Sequence, residues 1–344
     1  MKINKDSIIL GIESSCDDTS AAVLINGVVH SNVTANQSIH EKYGGVVPEL
    51  ASRAHQENIV PVVTTALKEA NINVNDLTSI AFTRGPGLLG SLLVGTSFAK
   101  SLSLSLDIPL IEVHHMKAHI HAHFIKEKKE DEPTPKFPFI CLTVSGGHTQ
   151  IVWVETPLKM KVIGSTIDDA VGEAFDKAGK VLGLGYPAGP TIDLLSKEGN
   201  SNKFKFTFPK AGELNYSFSG LKTQFLNFIR KNEQQNKNFS QDNLHDICAS
   251  YQTHLVSYLL RNLEKAIKKY PCQDIALAGG VSANSHLRKE FDKLGKSVGC
   301  NSFVPKISFC TDNAAMIAMS GKFMEEKEIF ADLSTSASAR IPMD

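Results

Sequence analysis

The sequence predicts an α/β protein built from two similar lobes with a nucleotide cleft between them. Three observations carry this. Short apolar, strand-sized runs alternate with longer helical patterns along the whole chain. Each half opens on a strand, a polar turn and a second strand. A charged, proline-bearing stretch without apolar periodicity, KEKKEDEPTPK over Lys126–Lys136, separates the halves.

In the first half, strand-like runs occupy Ile8–Glu13, Ser20–Ile25 and Val28–Thr34, followed by a helical pattern over about Glu49–Ala70. A strand at Ser79–Thr83, a helix over Leu89–Leu104, a strand at Pro109–Val113 and a short histidine-rich helix from His114 complete it. In the second half, strands are expected at Phe139–Val144, Gln150–Glu155 and Lys161–Thr166, then a helix over Asp168–Leu182. Long helices follow near Phe218–Lys231 and Gln241–Tyr270, then a strand at Asp274–Leu277 and a helix from Ser285. A last strand near Phe303–Ser308 leads into a helix over Asn313–Lys327. The order looks duplicated in topology, though not in residues. The expected domains are 1–125, a linker over 126–136, and 137–344 with a helical insertion, the last helix free to pack back on the first lobe.

With 344 residues the chain is long enough for two ordinary cores. Hydrophobic content of 42% and charged content of 21% fit a water-soluble globular protein, and no uninterrupted apolar run approaches a membrane span. The six cysteines, at 16, 141, 248, 272, 300 and 310, include no C-x-x-C pair, which argues against a zinc ribbon. That scatter, with a polar N-terminus, reads as cytoplasmic. Formal net charge is +0, so any grip on nucleic acid has to be local or shared with partners.

Three turns stand out as ligand sites. Gly11–Ser20, GIESSCDDTS, joins two strands with hydroxyls and carboxylates that suit a phosphate or a metal, although the same residues serve plain turns. Val144–Gln150, VSGGHTQ, places two glycines directly after an apolar strand, where a ligand can approach the backbone or a hairpin can turn. Asp274–Asn284, DIALAGGVSAN, is again strand, Gly-Gly and helix start; Asn284 could equally be an N-cap.

Metal chemistry is suggested by His114–His123, HHMKAHIHAH, with five histidines in ten residues. His115 and His119 are four apart and leave one helical face, and His119 and His123 share that spacing. Met116 stands where a zinc protease needs glutamate, so that class is disfavoured. Asp312, in Thr311-Asp312-Asn313 before an apolar helix, would complete two histidines and one carboxylate, a set suited to ferrous iron, with zinc as the alternative. Ser201–Ser240 holds seven Lys/Arg against two acids, with Phe204, Phe206, Phe208, Tyr216 and Phe218 interleaved. A nucleic-acid surface and a solvated face beside a core stripe both explain that pattern.

Together these segments resemble the universal tRNA adenosine threonylcarbamoyltransferase family, called TsaD in bacteria. The resemblance runs through GIESSCDDTSAAV, EVHHMKAH, VSGGHTQ, DDAVGEAFDKAGKVLGLGYPAGPTID, ALAGGVSANSHLR and CTDNAAMIA, nearly the whole chain. It implies two actin-like, ribonuclease-H-like lobes, one divalent metal per subunit, and transfer of a threonylcarbamoyl group from threonylcarbamoyl-AMP. The acceptor would be N6 of the adenosine beside the anticodon, in tRNAs reading codons that begin with adenine. Metal ligands would be His115, His119 and Asp312. The adenylate would lie against Thr143, Val144, Ser145, Gly146, Gly147, Asp176, Gly189, Asp193 and Asn284. Partners would be tRNA, an inert paralogous subunit (TsaB) and a small ATPase (TsaE), with no membrane. Because an exocyclic amine is a poor nucleophile, a carboxylate should take its proton, and Asp17 is the choice. The rival is an ATP-dependent phosphotransferase or ATPase of the sugar-kinase fold, which shares the phosphate turns without needing the His115/His119/Asp312 set.

Overall fold

The structure is a computed structural model that describes residues 6–127 and 133–343. The chain forms two compact units. One comprises Met1–Thr134, Pro157–Met160 and Lys306–Asp344; the other comprises Pro135–Thr156 and Lys161–Pro305. Part of the expected linker, at 128–132, lies outside the described residues.

The first unit begins with β1 (Ile8–Glu13), β2 (Thr19–Ile25) and β3 (Val28–Ala35), an antiparallel meander. Asn26 and Gly27, both at positive φ, make the two-residue turn between β2 and β3. Helix α1 (Pro48–Glu69) leads to β4 (Ser79–Gly85), α2 (Leu89–Leu106), β5 (Leu110–His114) and α3 (His115–His121). The sheet order is β3-β2-β1-β4-β5, with β4 parallel to both β1 and β5. Strand alternation sorts the core onto two faces. Leu10, Ile12, Ala21, Val23, Ile80 and Phe82 pack with Ile59, Val62, Val63 and Ala66 of α1 and Ala99 of α2. Ile9, Ala22, Leu24, Ala81, Ile111 and Val113 face the other way, onto Ala118 of α3 and the chain's final helix. Each such fully buried Ile or Leu contributes roughly 1.5–3 kcal/mol relative to exposure.

Helix α2 is long and apolar enough by length and composition to cross a membrane, although serines and a lysine interrupt its apolar run. It packs against α1 and β4 through a stripe that buries Ser91, Leu92, Gly95, Thr96 and Ala99.

The second unit repeats the plan. Strands β6 (Phe139–Val144), β7 (Thr149–Val154) and β8 (Met160–Ser165) precede α4 (Val171–Val181), α5 (Gly189–Ser196), α6 (Ser219–Glu233), α7 (Phe239–Asp242) and α8 (Leu244–Lys269). Then come β9 (Asp274–Ala278), α9 (Ser285–Val298) and β10 (Asn301–Phe303). The sheet order β10-β9-β6-β7-β8 matches the first unit strand for strand. Its core lies between β6 and the helices, where Ile140, Leu142 and Val144 share one cluster with Tyr216, Phe218, Phe225 and Tyr251.

Local differences from the sequence reading have simple causes. α4 starts at Val171 because the Asp168 carboxylate is engaged by the N–H groups of Phe218 and Ser219. β10 stops at Phe303, before Pro305, which has no N–H for a ladder, and Ile307–Phe309 form a 3₁₀ turn. α5 was not anticipated. The last helix is α10 (Ala314–Glu325), buried over Ala314–Gly321 and seated on β1 and β2 of the first unit.

Candidate functional site

The first unit gathers His115, His119 and Asp312 so that one ligand atom from each lies within 4.8 Å of the others. Strand β5 delivers His115 as the first residue of α3, and one helical turn later His119 leaves the same face. Their rings sit edge to face, 4.7 Å apart between centroids. Asp312 precedes Asn313, whose side chain caps α10 by accepting from the Met316 N–H at 3.1 Å. His115 Nε2 lies 3.4 Å and His119 Nε2 3.1 Å from Asp312 Oδ1. The His119 approach lacks hydrogen-bond geometry, so among the described residues both nitrogens of that buried ring have no hydrogen-bond partner. A buried, unpaired imidazole facing a second imidazole and a carboxylate is the donor set of a divalent cation with open positions. These three residues could hold a metal ion. His123 is not among them, because α3 ends at His121 and a 3₁₀ turn, Ala122–Phe124, takes His123 off the face.

Burial alone would raise the Asp312 carboxyl, but the His115 and His119 rings hold it well below the usual range. Burial would likewise lower His115, yet Glu13 and Asp312 hold its ring well above the ordinary histidine value. Glu13, fully buried at the end of β1, also ends below its ordinary value because His115 outweighs its desolvation.

A glycine sets where Asp312 stands. A Cβ on Gly11 of β1 would lie 2.4 Å from the Ala314 carbonyl oxygen and 2.8 Å from the Ala318 nitrogen. Only glycine lets α10 approach the strand this closely.

Asp17 and Asp18 follow Cys16 in the turn after β1. His55 of α1 clamps that turn, its Nδ1 2.7 Å from Thr19 Oγ1 and its Nε2 3.0 Å from the Cys16 carbonyl, which also accepts from Ser91 Oγ at 2.9 Å. Burial, then the charges of Asp312, Asp17 and Glu13, push Asp18 up to about 7. Burial pushes the Cys16 thiol up as well, so it is no thiolate nucleophile. Glu13 and Asp18 lie in the Gly11–Ser20 turn read from the sequence as a ligand site, but were not singled out there. The available signal for Glu13 was a carboxylate closing an otherwise apolar strand.

In the second unit, parallel pairing of Thr143 with Ala278 brings both glycine turns to the carboxyl end of one sheet. Gly279, at φ +86°, passes so close to β6 that a Cβ would sit 2.4 Å from the Val144 carbonyl. Ser145 closes its turn with His148, donating its N–H to the His148 carbonyl at 2.8 Å. The α4 N-terminus abuts this turn through the Gly172 N–H to the Ser145 carbonyl. Asp176 accepts the Ala188 N–H at 2.8 Å and so holds the start of α5. Asp193 accepts the Ser285 N–H and hydroxyl at 3.1 and 3.0 Å. Asn284 caps α9 at the Leu287 N–H and donates to Gln252 at 2.7 Å. Asp176, Gly189, Asp193 and Asn284 are thereby linked by a continuous set of contacts, their side chains largely used in fixing helix starts. Gly146, Gly147 and Gly189 face open space, with no atom within 4 Å of an added Cβ.

The basic, aromatic stretch resolves into an extended strap antiparallel to α6. Phe204 packs on Phe228 and Phe239, Phe206 on Phe225 and Tyr251, while Lys205 and Lys210 point out. Phe208 is stacked on His254 at 4.4 Å and covered by Arg261 at 5.2 Å. Alternation puts Phe204 and Phe206 inward and Lys203 and Lys205 outward, while Phe208 stays exposed at its edge.

The family model "TsaD: tRNA N6-adenosine threonylcarbamoyltransferase" matches residues 28–319. A tRNA N6-adenosine threonylcarbamoyltransferase of Riemerella anatipestifer is 56% identical over 340 residues, covering 99% of each chain. One from Christiangramia forsetii is 57% identical over 332 residues, covering 96% of this chain and 97% of its own. Among solved structures, HypF of T. kodakarensis superposes with a TM-score of 0.64 over 95% of this chain and 49% of its own, at 15% identity. That likeness shows the actin-like fold alone. With a family model matched over most of its length and relatives identical at more than half of their positions, the chain belongs to the tRNA N6-adenosine threonylcarbamoyltransferase family.

Proposed function

We propose that the chain transfers the threonylcarbamoyl group of threonylcarbamoyl-AMP to N6 of the adenosine beside the anticodon, in tRNAs reading codons that begin with adenine. The observation that carries this reading is the His115/His119/Asp312 group, with both histidines buried, in a chain 56% identical to a family relative over 340 residues. A phosphotransferase of the same fold has no use for it.

His115, His119 and Asp312 would hold one divalent ion, ferrous iron first and zinc as the alternative. When bound, it supplies a Lewis acid and a template for ligand oxygens. The donor is a mixed carboxylic–phosphoric anhydride and is already activated. The chain therefore has to position it, exclude water and accept one proton. N6 attacks the carbonyl carbon, the bond from that carbon to the phosphate oxygen breaks, and AMP leaves with the electron pair. The N6 proton passes to a carboxylate of the turn after β1. Asp17 is assigned this part, and Asp18 is the second candidate, since a carboxyl poised near neutrality is an efficient acceptor. Thr143, Val144 and Ser145 carry the chain into a turn where Gly146 and Gly147, open on their Cβ side, would let a phosphate approach the backbone closely. Gly189, at the start of α5 held by Asp176, leaves room for the nucleoside, while Asp193 and Asn284 fix the second glycine turn.

Formal charge of +0 and a strap whose aromatics are largely internal make weak binding of tRNA by the isolated chain the expectation. The inert paralogous subunit TsaB and the small ATPase TsaE would complete the assembly, in the cytoplasm. The test is transfer of isotope-labelled threonyl carbon from preformed adenylate to tRNA by this chain with its partners. Label in tRNA without consumption of any ATP γ-phosphate in that step supports acyl transfer. Transfer blocked by a non-hydrolysable ATP analogue, with no ATP-dependent partner present, would favour the phosphotransferase.

A further inference from the structure

We infer that Glu13 is the positioning residue of the metal centre: its buried carboxylate fixes the tautomer and aim of His115, which leaves Nε2 free to ligate. The inference rests on the metal reading above and assigns a residue outside the ligand set.

Glu13 ends β1 with 0% of its surface exposed. A backbone N–H and a hydroxyl donate to its carboxylate. Oε1 accepts the Ser15 backbone N–H at 2.5 Å, and Oε2 accepts the Thr83 hydroxyl at 2.6 Å. His115 Nδ1 lies 3.0 Å from the same Oε2. An oxygen of an ionised carboxylate can only accept, so the hydrogen-bond network assigns the proton of His115 to Nδ1. Nε2 lies 3.4 Å from Asp312 Oδ1, on the side of the ring facing His119, and is the atom whose lone pair a cation there would take. A cation held there would take the place of any proton shared between Nε2 and Asp312 Oδ1. Among the described residues His119 has no such partner behind it, so of the two ligand rings only His115 is held by a carboxylate. Partners of this kind affect metal affinity by about 10- to 100-fold.

The requirement is for a carboxylate rather than for bulk. In Glu13→Gln one end of the side chain becomes an NH2 donor. If that end faces Ser15, two donors meet. If it faces His115, the ring shifts its proton to Nε2 and loses its metal-binding lone pair. Ser15 Oγ also lies 3.2 Å from Nδ1 and is the competing explanation.

The experiment titrates Co²⁺ into metal-free full-length chain, reading its visible absorption in competition with a chromophoric chelator. Glu13→Gln should bind about 10- to 100-fold more weakly than the parent, with the thermal midpoint of the metal-free protein within a few degrees of the parent. Excess Co²⁺ should restore the parent absorption. Ser15→Ala should stay within about threefold of the parent. Equal affinity in Glu13→Gln, or an equal loss in Ser15→Ala, overturns the assignment to Glu13. If Glu13→Gln does not fold, Thr83→Val decides instead, since it removes one anchor and leaves the carboxylate. A several-fold loss is then expected, and unchanged affinity overturns the inference. No Co²⁺ binding by the parent overturns the ligand set itself, a separate result from a parent that binds and a variant that binds equally well.

Discussion

Replacing Gly11 with alanine tests whether the approach of α10 to β1 sets the metal centre. The new Cβ would be 2.4 Å from the Ala314 carbonyl oxygen, 2.8 Å from the Ala318 nitrogen and 2.9 Å from the Ala318 Cβ. Two of the three are backbone atoms of a buried helix and cannot swing aside. Real Cβ atoms essentially never come within 3.0 Å, so α10 has to retreat by at least about 0.6 Å. Overpacking of this kind costs about 1–3 kcal/mol. The same shift carries Asn313 and Asp312 with the helix, whereas metal–ligand distances tolerate only about 0.2 Å. Gly11→Ala should therefore lower both the thermal midpoint of the metal-free protein and its affinity for a divalent ion, the latter by roughly tenfold or more, comparable to loss of a supporting residue. Calorimetry and chelator competition on the purified full-length chain read the two effects. Wild-type affinity together with wild-type stability would refute the argument.

His115→Ala and His119→Ala should each lose most of the bound metal by elemental analysis, while His123→Ala, off the shared face, should retain it. Gly189→Val should abolish adenylate binding by calorimetry yet leave metal content and folding intact, because its Cβ meets no protein atom within 4 Å. His121, buried against Ser320 and the Pro157 carbonyl, is pushed down to about 4 by burial. Its folded value lies below the unfolded value of 6.5, so its contribution is complete above pH 6.5 and is lost as pH falls toward 4. By pH 5 that loss is about 2 kcal/mol. Denaturation midpoints of His121→Gln should fall less than wild type between pH 7 and pH 5; parallel curves would contradict this.

The strands were legible because apolar runs such as IILGIE and FICLTV are central, buried and bounded by turn residues. The duplicated plan was legible too, while the two sheet orders come from the structure. α5 escaped because GYPAGP before it reads as turn punctuation, and Gly189-Pro190 opens a helix only with Asp176 holding its first N–H groups. The His115/His119 pair was visible as helical spacing, and so was the false pair with His123, since spacing cannot show where α3 unwinds. Glu13 and His115 are about one hundred residues apart, and only pairing of β1, β4 and β5 makes them neighbours. The basic stretch was ambiguous for the opposite reason. Its alternation is local, but whether aromatics face solvent or core depends on α6 and α8 beneath it.

The most direct measurement is mass spectrometry of nucleosides from tRNA incubated with threonylcarbamoyl-AMP, this chain and its partner proteins. The account predicts adenosine bearing a threonylcarbamoyl group at N6, mapped beside the anticodon. It also predicts that His115→Ala in the same mixture yields little or none. Unmodified adenosine with the wild-type chain, or equal modification by His115→Ala, would contradict it.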